Sequence, residues 1–439
     1  MMTNERWQKM IAVIKSDVVP ATGCTEPISL AFAAATAARY LGEDVISVKA
    51  RVSANLMKNG MGVMVPGTGR PGLVIAAAVG ALGGDADAGL QVLRQLSASV
   101  VEQGMMMVDN GAVTVGVNKE TDHVLYAEAC VYGEKHYVKA VIVDDHTNIL
   151  SIEKDGEVIF SAAAQDNGEG DDKKAFLHTL SVKEILAFAE QAPLEEIRFI
   201  KEAEDLNDAL SKEGLTGKYG LKIGRTLQDA QESGMTGKDL QNEILIRTVA
   251  ASDARMGGAA YPAMTNSGSG NQGIAVTEPV TVVADYLHAD EETRLRALIL
   301  ASMTAIYIHG YLPKLSAFCA TVTAAMGAAA GMAWLLDREH GLERIGQVIC
   351  SMTGDVAGMI CDGAANSCSM KVSTAVSAAY KATVLALNGT RVSGDDGLVA
   401  NDVEESIRNI GLLASKGMQQ TDDEVLDIML HKNQGDRRQ

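Results

Sequence analysis

Apolar positions along this chain change period several times. Trp7, Met10, Ile11 and Ile14 recur at helical spacing, so residues 5–16 read as an amphipathic helix that Pro20 ends. After a turn through Gly23, Thr25 is a good N-cap and Pro27 suits the first turn of an Ala-rich helix over 28–41. Residues 45–52 alternate and predict a strand, and 60–65 form a second short apolar stretch, closed by Pro66-Gly67-Thr68-Gly69. Asn55, Lys58 and Asn59 make a polar knot between these two apparent strands, suited either to orienting a ligand or to making a turn. Residues 73–82 and 87–103 read as helices. From Gly111 to Ile159 the period shortens to two, in Val113, Val115 and Val117, then over 124–131 and 137–143, then at Leu150 and Ile152, which predicts an antiparallel meander.

Residues 164–174 (Ala-Gln-Asp-Asn-Gly-Glu-Gly-Asp-Asp-Lys-Lys) read as a linker or exposed loop. Beyond it the pattern is almost wholly helical, with helix starts at Ser181 and Pro193, a Gly/Ser/Asn-rich break over 253–273, helices from Glu278 to about Met429 and a frayed tail from His431. The expected class is α+β: a large Ala/Gly-rich helical lobe with a smaller mixed α/β lobe containing an antiparallel sheet. The expected divisions are N-terminal helices over 1–44 packing on the helical lobe, a mixed lobe over 45–163, and the helical lobe over 175–430.

Composition narrows the setting. At 439 residues with 47% apolar side chains the chain can bury more than one core, and its 4% aromatic content leaves Ala and Gly to build close helix contacts. The net charge of -18 and the lack of a basic stripe argue against nucleic acid or anionic membrane as partners. Residues 316–336 carry no charge and reach bilayer length, but they are Ala, Gly, Thr and Met rather than strongly apolar and lack a basic or aromatic flank; a buried central helix is expected. The start, Met1-Met2-Thr3-Asn4-Glu5-Arg6, has no apolar export segment, so a cytoplasmic location is expected and six cysteines point to thiols, metal or chemistry rather than disulfides.

Three of those cysteines stand in distinctive contexts. Cys24 precedes a predicted helix N-terminus, where the helix dipole favours a thiolate. Cys319 heads the uncharged Ala/Gly-rich stretch, and Cys361 opens Cys361-Asp362-Gly363-Ala364. No C-x-x-C pair occurs, and spacing alone favours inert buried thiols; Cys130 and Cys350 read as core, while Cys368 would fall on the face of Cys361 if the two shared a helix. The run Thr265-Asn266-Ser267-Gly268-Ser269-Gly270-Asn271-Gln272-Gly273 offers backbone N–H groups with hydroxyl and amide donors, a nest for a carboxylate or phosphate; Ser267, Gly268, Ser269 and Asn271 are its candidate ligand residues. His309 and Lys314, and also Lys371, are candidate bases near the cysteines. A Thr-Glu-Pro echo, at 25–27 and 277–279, reads either as a duplication with two helix N-termini facing one site or as two unrelated helix starts.

Pro20-Ala21-Thr22-Gly23-Cys24-Thr25-Glu26-Pro27, Asn266-Ser267-Gly268-Ser269-Gly270-Asn271-Gln272-Gly273 and Cys361-Asp362-Gly363-Ala364, in this order, resemble the L-cysteine desulfidase family, which is related to the alpha chain of the iron–sulfur L-serine dehydratases. The resemblance covers nearly the whole chain. It implies an oxygen-sensitive [4Fe–4S] cluster on Cys24, Cys319 and Cys361, with one iron open to substrate, in the helical lobe. It also implies a small amino-acid substrate, L-cysteine, converted with water to pyruvate, ammonia and hydrogen sulfide. L-Serine dehydration by the same mechanism and a non-catalytic iron–sulfur or thiol redox sensor are the alternatives. The sequence does not set the oligomeric state, and its large Ala/Gly content is compatible with a homodimer. The dehydratases carry a further cysteine after the Cys-Asp-Gly position, at a spacing that Cys368 does not match.

Overall fold

The computed structural model describes residues 2–22, 25–162, 168–313 and 315–435, and its architecture is α+β. Eight strands are present among the described residues: β1 (Pro20–Ala21), β2 (Ser47–Val52), β3 (Val113–Val117), β4 (Tyr126–Tyr132), β5 (Tyr137–Val143), β6 (Ile149–Lys154), β7 (Glu157–Ser161) and β8 (Ala263–Met264). Six of them form one sheet in the order β3-β2-β4-β5-β6-β7. Strands β4 to β7 form the expected antiparallel meander, but β3, expected to begin it, does not pair with β4: β2 inserts between them, antiparallel to β4 and parallel to β3. In β2 the alternation is strict: Val48, Ala50 and Val52 are buried, and Lys49 and Arg51 are exposed.

The buried face of this sheet packs against helices Thr25–Leu41 and Leu73–Gly83. Ile28, Leu30 and the alanines of the first helix belong to the sheet's core, so this helix joins the mixed lobe instead of the helical lobe on which the N-terminal segment was expected to pack. The preceding helix, Met2–Asp17, does go to the helical lobe, through Met10, Ile11 and Ile14. The last helix, Gln419–Gly435, returns to the mixed lobe, against Ala54–Gly60.

At the centre of the helical lobe lies Thr321–Leu336, buried from Thr321 to Leu335 and surrounded by Gly270–Tyr286, Glu291–His309, Gly341–Val356 and Cys368–Leu387. This is the uncharged stretch of the sequence. Its small residues let backbones touch: a Cβ on Gly327 would stand 2.4 Å from the Ala301 carbonyl oxygen. Among the described residues no helix is long and apolar enough to cross a membrane.

Several local expectations change. Residues 54–60 are a helix capped by Ser53, so Asn55, Lys58 and Asn59 are helical and do not separate two strands. Residues 87–103 divide into a 3-10 turn at Gly89–Gln91 and a helix at Ala98–Asp109. The predicted loop 164–174 contains the start of helix Gly168–Leu177, its earlier part lying outside the described residues. The break over 253–273 is shorter than its composition implied: helix Leu240–Met256 runs into it, and Gly270–Tyr286 starts before Thr277. Thr277-Glu278-Pro279 is therefore helix interior and Thr25-Glu26-Pro27 is a helix start, so the echo does not mark two equivalent helix ends.

Gly327→Ala should lower stability. Ala gains about 1 kcal/mol in helix propensity, but the new methyl meets immovable backbone, an overpacking penalty of about 1–3 kcal/mol. Urea denaturation midpoints measure the balance, and a midpoint at or above wild type would contradict this packing.

Candidate functional site

The two lobes meet at a cavity of about 120 Å³. That is small beside the ~300–1,000 Å³ of pockets for larger ligands, and suits a molecule of amino-acid size. Its cysteines are brought together by a minimal antiparallel pairing. Phe318 bridges Ile360, the Cys361 N–H donates to the Ala317 carbonyl at 2.7 Å, and the Cys319 N–H donates to the Met359 carbonyl at 3.0 Å. Strand alternation turns Cys319 and Cys361 to one face; both line the cavity, while Phe318 also reaches the core. Cys368 lines the same cavity from the first position of helix Cys368–Leu387, its thiol directed at the Gly363 carbonyl at 3.5 Å. Cys361 and Cys368, seven positions apart, do not share a helix, so the two thiols meet through a loop turned by Gly363 at φ 93°.

Ser267, Gly268, Ser269 and Asn271 also line the cavity. Asn266 and Ser269 exchange backbone hydrogen bonds at 3.1 Å in both directions across Ser267 (φ 50°) and Gly268 (φ 81°). Positive φ at both central residues is the signature of a mirror-image hairpin turn. Helix Gly270–Tyr286 follows at once, with Ser269 at its N-cap making no capping bond through its side chain, so the positive end of a 17-residue helix lies at the cavity wall. Asn271 is fixed from behind: its Oδ1 accepts from Ser252 Oγ at 3.2 Å, and Ser252 Oγ lies 3.0 Å from Ser369 Oγ.

His309, the last residue of helix Glu291–His309, lines the cavity. Cys24 and Lys314 lie outside the described residues. Thr25 and Glu26, next in the chain to Cys24, are at the site: Glu26 lines the cavity and Thr25 Oγ1 donates to the Gly268 carbonyl at 3.2 Å. Cys130 and Cys350 are buried elsewhere, in β4 and in helix Gly341–Val356.

Sequence reasoning missed two cationic or titratable wall residues. Arg255 is buried near the end of helix Leu240–Met256, within the segment read as a loop, and its side chain fills the space a Cβ on Gly270 would need, 2.2 Å from Nε. His146 comes from the turn between β5 and β6, in the other lobe, and approaches Gly268. Glycine at 270 was the available signal for Arg255; nothing local marked His146. Lys371, also on the wall, is ion-paired with Asp362, and although burial acts to lower its pKa the pairing raises it overall.

Burial pushes the Cys319 thiol up from 9.0 to about 11, with the neighbouring Cys361 sulfur adding to the effect. Burial likewise raises Cys368. Among the described residues no three His, Cys, Asp or Glu side chains form a ready metal-holding group. Cys319, Cys361 and Cys368 nevertheless give one cavity a set of soft sulfur donors, the donor chemistry that iron–sulfur clusters use.

The sequence that builds this α+β fold and its cysteine-lined cavity places the chain in a known family. Residues 87–427 match the family described as serine dehydratase alpha chain, and the protein belongs to it. Its similar relatives include a "UPF0597 protein" of Chromobacterium violaceum, 54% identical over 426 residues that span 97% of this chain and 98% of the relative. They also include a "UPF0597 protein YhaM" of Salmonella typhimurium and another of Salmonella typhi, each 54% identical over 432 residues that span 98% of both chains. Family membership supports a dehydratase- or lyase-type activity.

The raised Cys319 pKa has a measurable consequence. In the metal-free folded chain at pH 8, Cys319 should alkylate about 100-fold more slowly than in the urea-unfolded chain, where thiolate is more abundant. The unfolded thiol ionises first as pH rises, so this contribution to stability is complete below pH 9.0 and is lost toward about 11. Denaturation midpoints should fall across that window in wild type and fall less in Cys319→Ala; parallel profiles would exclude the shift.

Proposed function

We propose that this protein is an iron–sulfur-dependent L-cysteine desulfidase, a carbon–sulfur lyase converting L-cysteine and water to pyruvate, ammonia and hydrogen sulfide. The observation that carries this reading is the convergence, in one cavity of about 120 Å³, of Cys319 and Cys361 with the Ser267–Asn271 turn and Arg255. Cys24, Cys319 and Cys361 would hold a [4Fe–4S] cluster, consistent with the iron–sulfur association general to the family. When bound, the cluster supplies Lewis acidity toward the departing β-substituent, and iron's affinity for sulfur suits a thiol leaving group.

The remaining work falls to the chain. Backbone N–H groups of the Ser267–Asn271 turn, the helix dipole behind them and the Arg255 guanidinium bind the substrate carboxylate. This orients the Cα–H bond toward His309, which takes the proton; Lys314 is the alternative base. The electron pair of that bond forms the Cα–Cβ double bond as the Cβ–S bond breaks and sulfur leaves as hydrosulfide. The released aminoacrylate tautomerises to an imine, and one water hydrolyses it to pyruvate and ammonia. The enclosing wall limits bulk water around the Cα carbanionic charge as it develops.

L-Serine dehydration is the second reading, favoured by the family's description, and it differs only in releasing water where L-cysteine releases hydrogen sulfide. Protein prepared without oxygen should contain iron and sulfide and release ammonia and pyruvate from L-cysteine faster than from L-serine. Cys24→Ala, Cys319→Ala and Cys361→Ala should each lose the iron, Cys130→Ala and Cys350→Ala should keep it, and His309→Asn should keep iron while lowering kcat about 100-fold or more. An iron-free anaerobic sample that yields no ammonia from either substrate would sink the lyase reading, and a preference for L-serine would replace the desulfidase by the dehydratase.

A further inference from the structure

Lys58 is among the largest fully buried side chains of the molecule, and it lies outside the chemistry proposed above. It sits in the short helix Ala54–Gly60 of the mixed lobe, yet its Nζ donates to the Cys361 carbonyl at 3.3 Å. The same ammonium is ion-paired with Asp422, from the last helix, Gln419–Gly435. Two neighbouring contacts repeat the link. Gly363 lies so close on the Ala54–Gly60 helix that a Cβ there would stand 2.4 Å from the Lys58 carbonyl oxygen, and Asn59 Oδ1 stands 4.0 Å from Cys361 Sγ.

We propose that Lys58 and Asp422 are positioning residues: together they seat the Cys361 loop against helices Ala54–Gly60 and Gln419–Gly435, fixing where the Cys361 thiol points. An ammonium has three donors and no acceptor, so one Nζ can hold a carboxylate and a carbonyl at once. A buried ion pair is a poor source of net stability, because desolvation offsets most of its attraction and a packed apolar pair serves as well. What an apolar pair cannot do is hold the Cys361 carbonyl. The geometry thus assigns the pair to orientation of a sulfur donor, in the manner of groups that steer metal ligands from behind. The consequence for catalysis rests on the iron–sulfur reading; the orientation itself does not.

The test compares full-length wild type with Lys58→Met, Asp422→Leu, the double variant and Asp422→Asn. Iron and sulfide per chain and the rate of iron loss to a chelator are measured anaerobically; the alkylation rate of Cys361 is measured in iron-free protein, below the melting transition. Each single apolar variant leaves a buried charge or a lost partner and should melt lower. The double variant should recover most of that melting temperature. It should still retain iron about 10-fold to 100-fold less tightly and alkylate Cys361 faster than wild type. A purely structural pair would restore all three measurements together, and that result overturns the proposal. Asp422→Asn keeps the side-chain shape and removes the charge, so it decides the same question should the double variant not fold. Absence of iron even in wild type would refute the cluster while the Cys361 alkylation comparison still judged the positioning role.

Discussion

Two backbone hydrogen bonds, from Cys361 to Ala317 and from Cys319 to Met359, are the constraint on which the site depends. Each contributes only about 1 kcal/mol in net stability, so they cannot by themselves hold two distant segments together. They persist because both segments are anchored elsewhere. Cys319 leads directly into the most deeply buried helix of the molecule, and Cys361 follows the helix Gly341–Val356 that packs beside it. Buried peptide groups left unpaired would be costly, and pairing them with one another converts a packing arrangement of helices into a defined separation between two sulfurs.

The cavity wall is a composite of both lobes. The helical lobe supplies the cysteines, the Ser267–Asn271 turn, Arg255 and His309, while the mixed lobe supplies Asn59, His146 and Glu26. The N-terminal segment stitches these together, since β1 pairs with β8 at Pro20↔Met264 and Ala21↔Ala263. Thr265 adds to this seam through its hydroxyl, whose single O–H lies 2.8 Å from the Val19 carbonyl and 3.1 Å from that of Asp17. The chain then enters the mixed lobe through the helix that begins at Thr25. Pro20 and Ala21 on one side and Thr25 and Glu26 on the other thus place the described chain at the boundary between the lobes, with Glu26 on the cavity wall.

The elements that sequence made legible were those with a strong local period. The meander of β4 to β7, the Ala-rich helix after Thr25 and the uncharged central helix all follow from spacing and composition. The Ser267–Asn271 turn was also recognisable, because Gly and small polar residues there have no core to fill. Misread positions share a different cause: tertiary contacts decide them. Arg255 was hidden because its helix continues into a Gly-rich segment, held by packing against neighbouring helices. His146 reaches the cavity only through sheet topology. Pro279 sits inside a helix, where local rules would place a helix start. Cys368 reaches the thiol cluster by a loop with positive φ at Gly363, a path that no helical spacing from Cys361 describes.

The pairing of Lys58 with Asp422 also bears on how the protein is made. The two residues are separated by 364 positions, and Asp422 lies in the last helix of the described structure. During synthesis the sheet and its helices can collapse while Lys58 still lacks this carboxylate, and a charged lysine resists burial until it arrives. The Cys361 loop is then completed only after Asp422, 364 positions beyond Lys58, has joined it. Maturation of the site is in this way deferred until the helix Gln419–Gly435 has docked, and a product ending before it would leave the loop open however well its cores had formed.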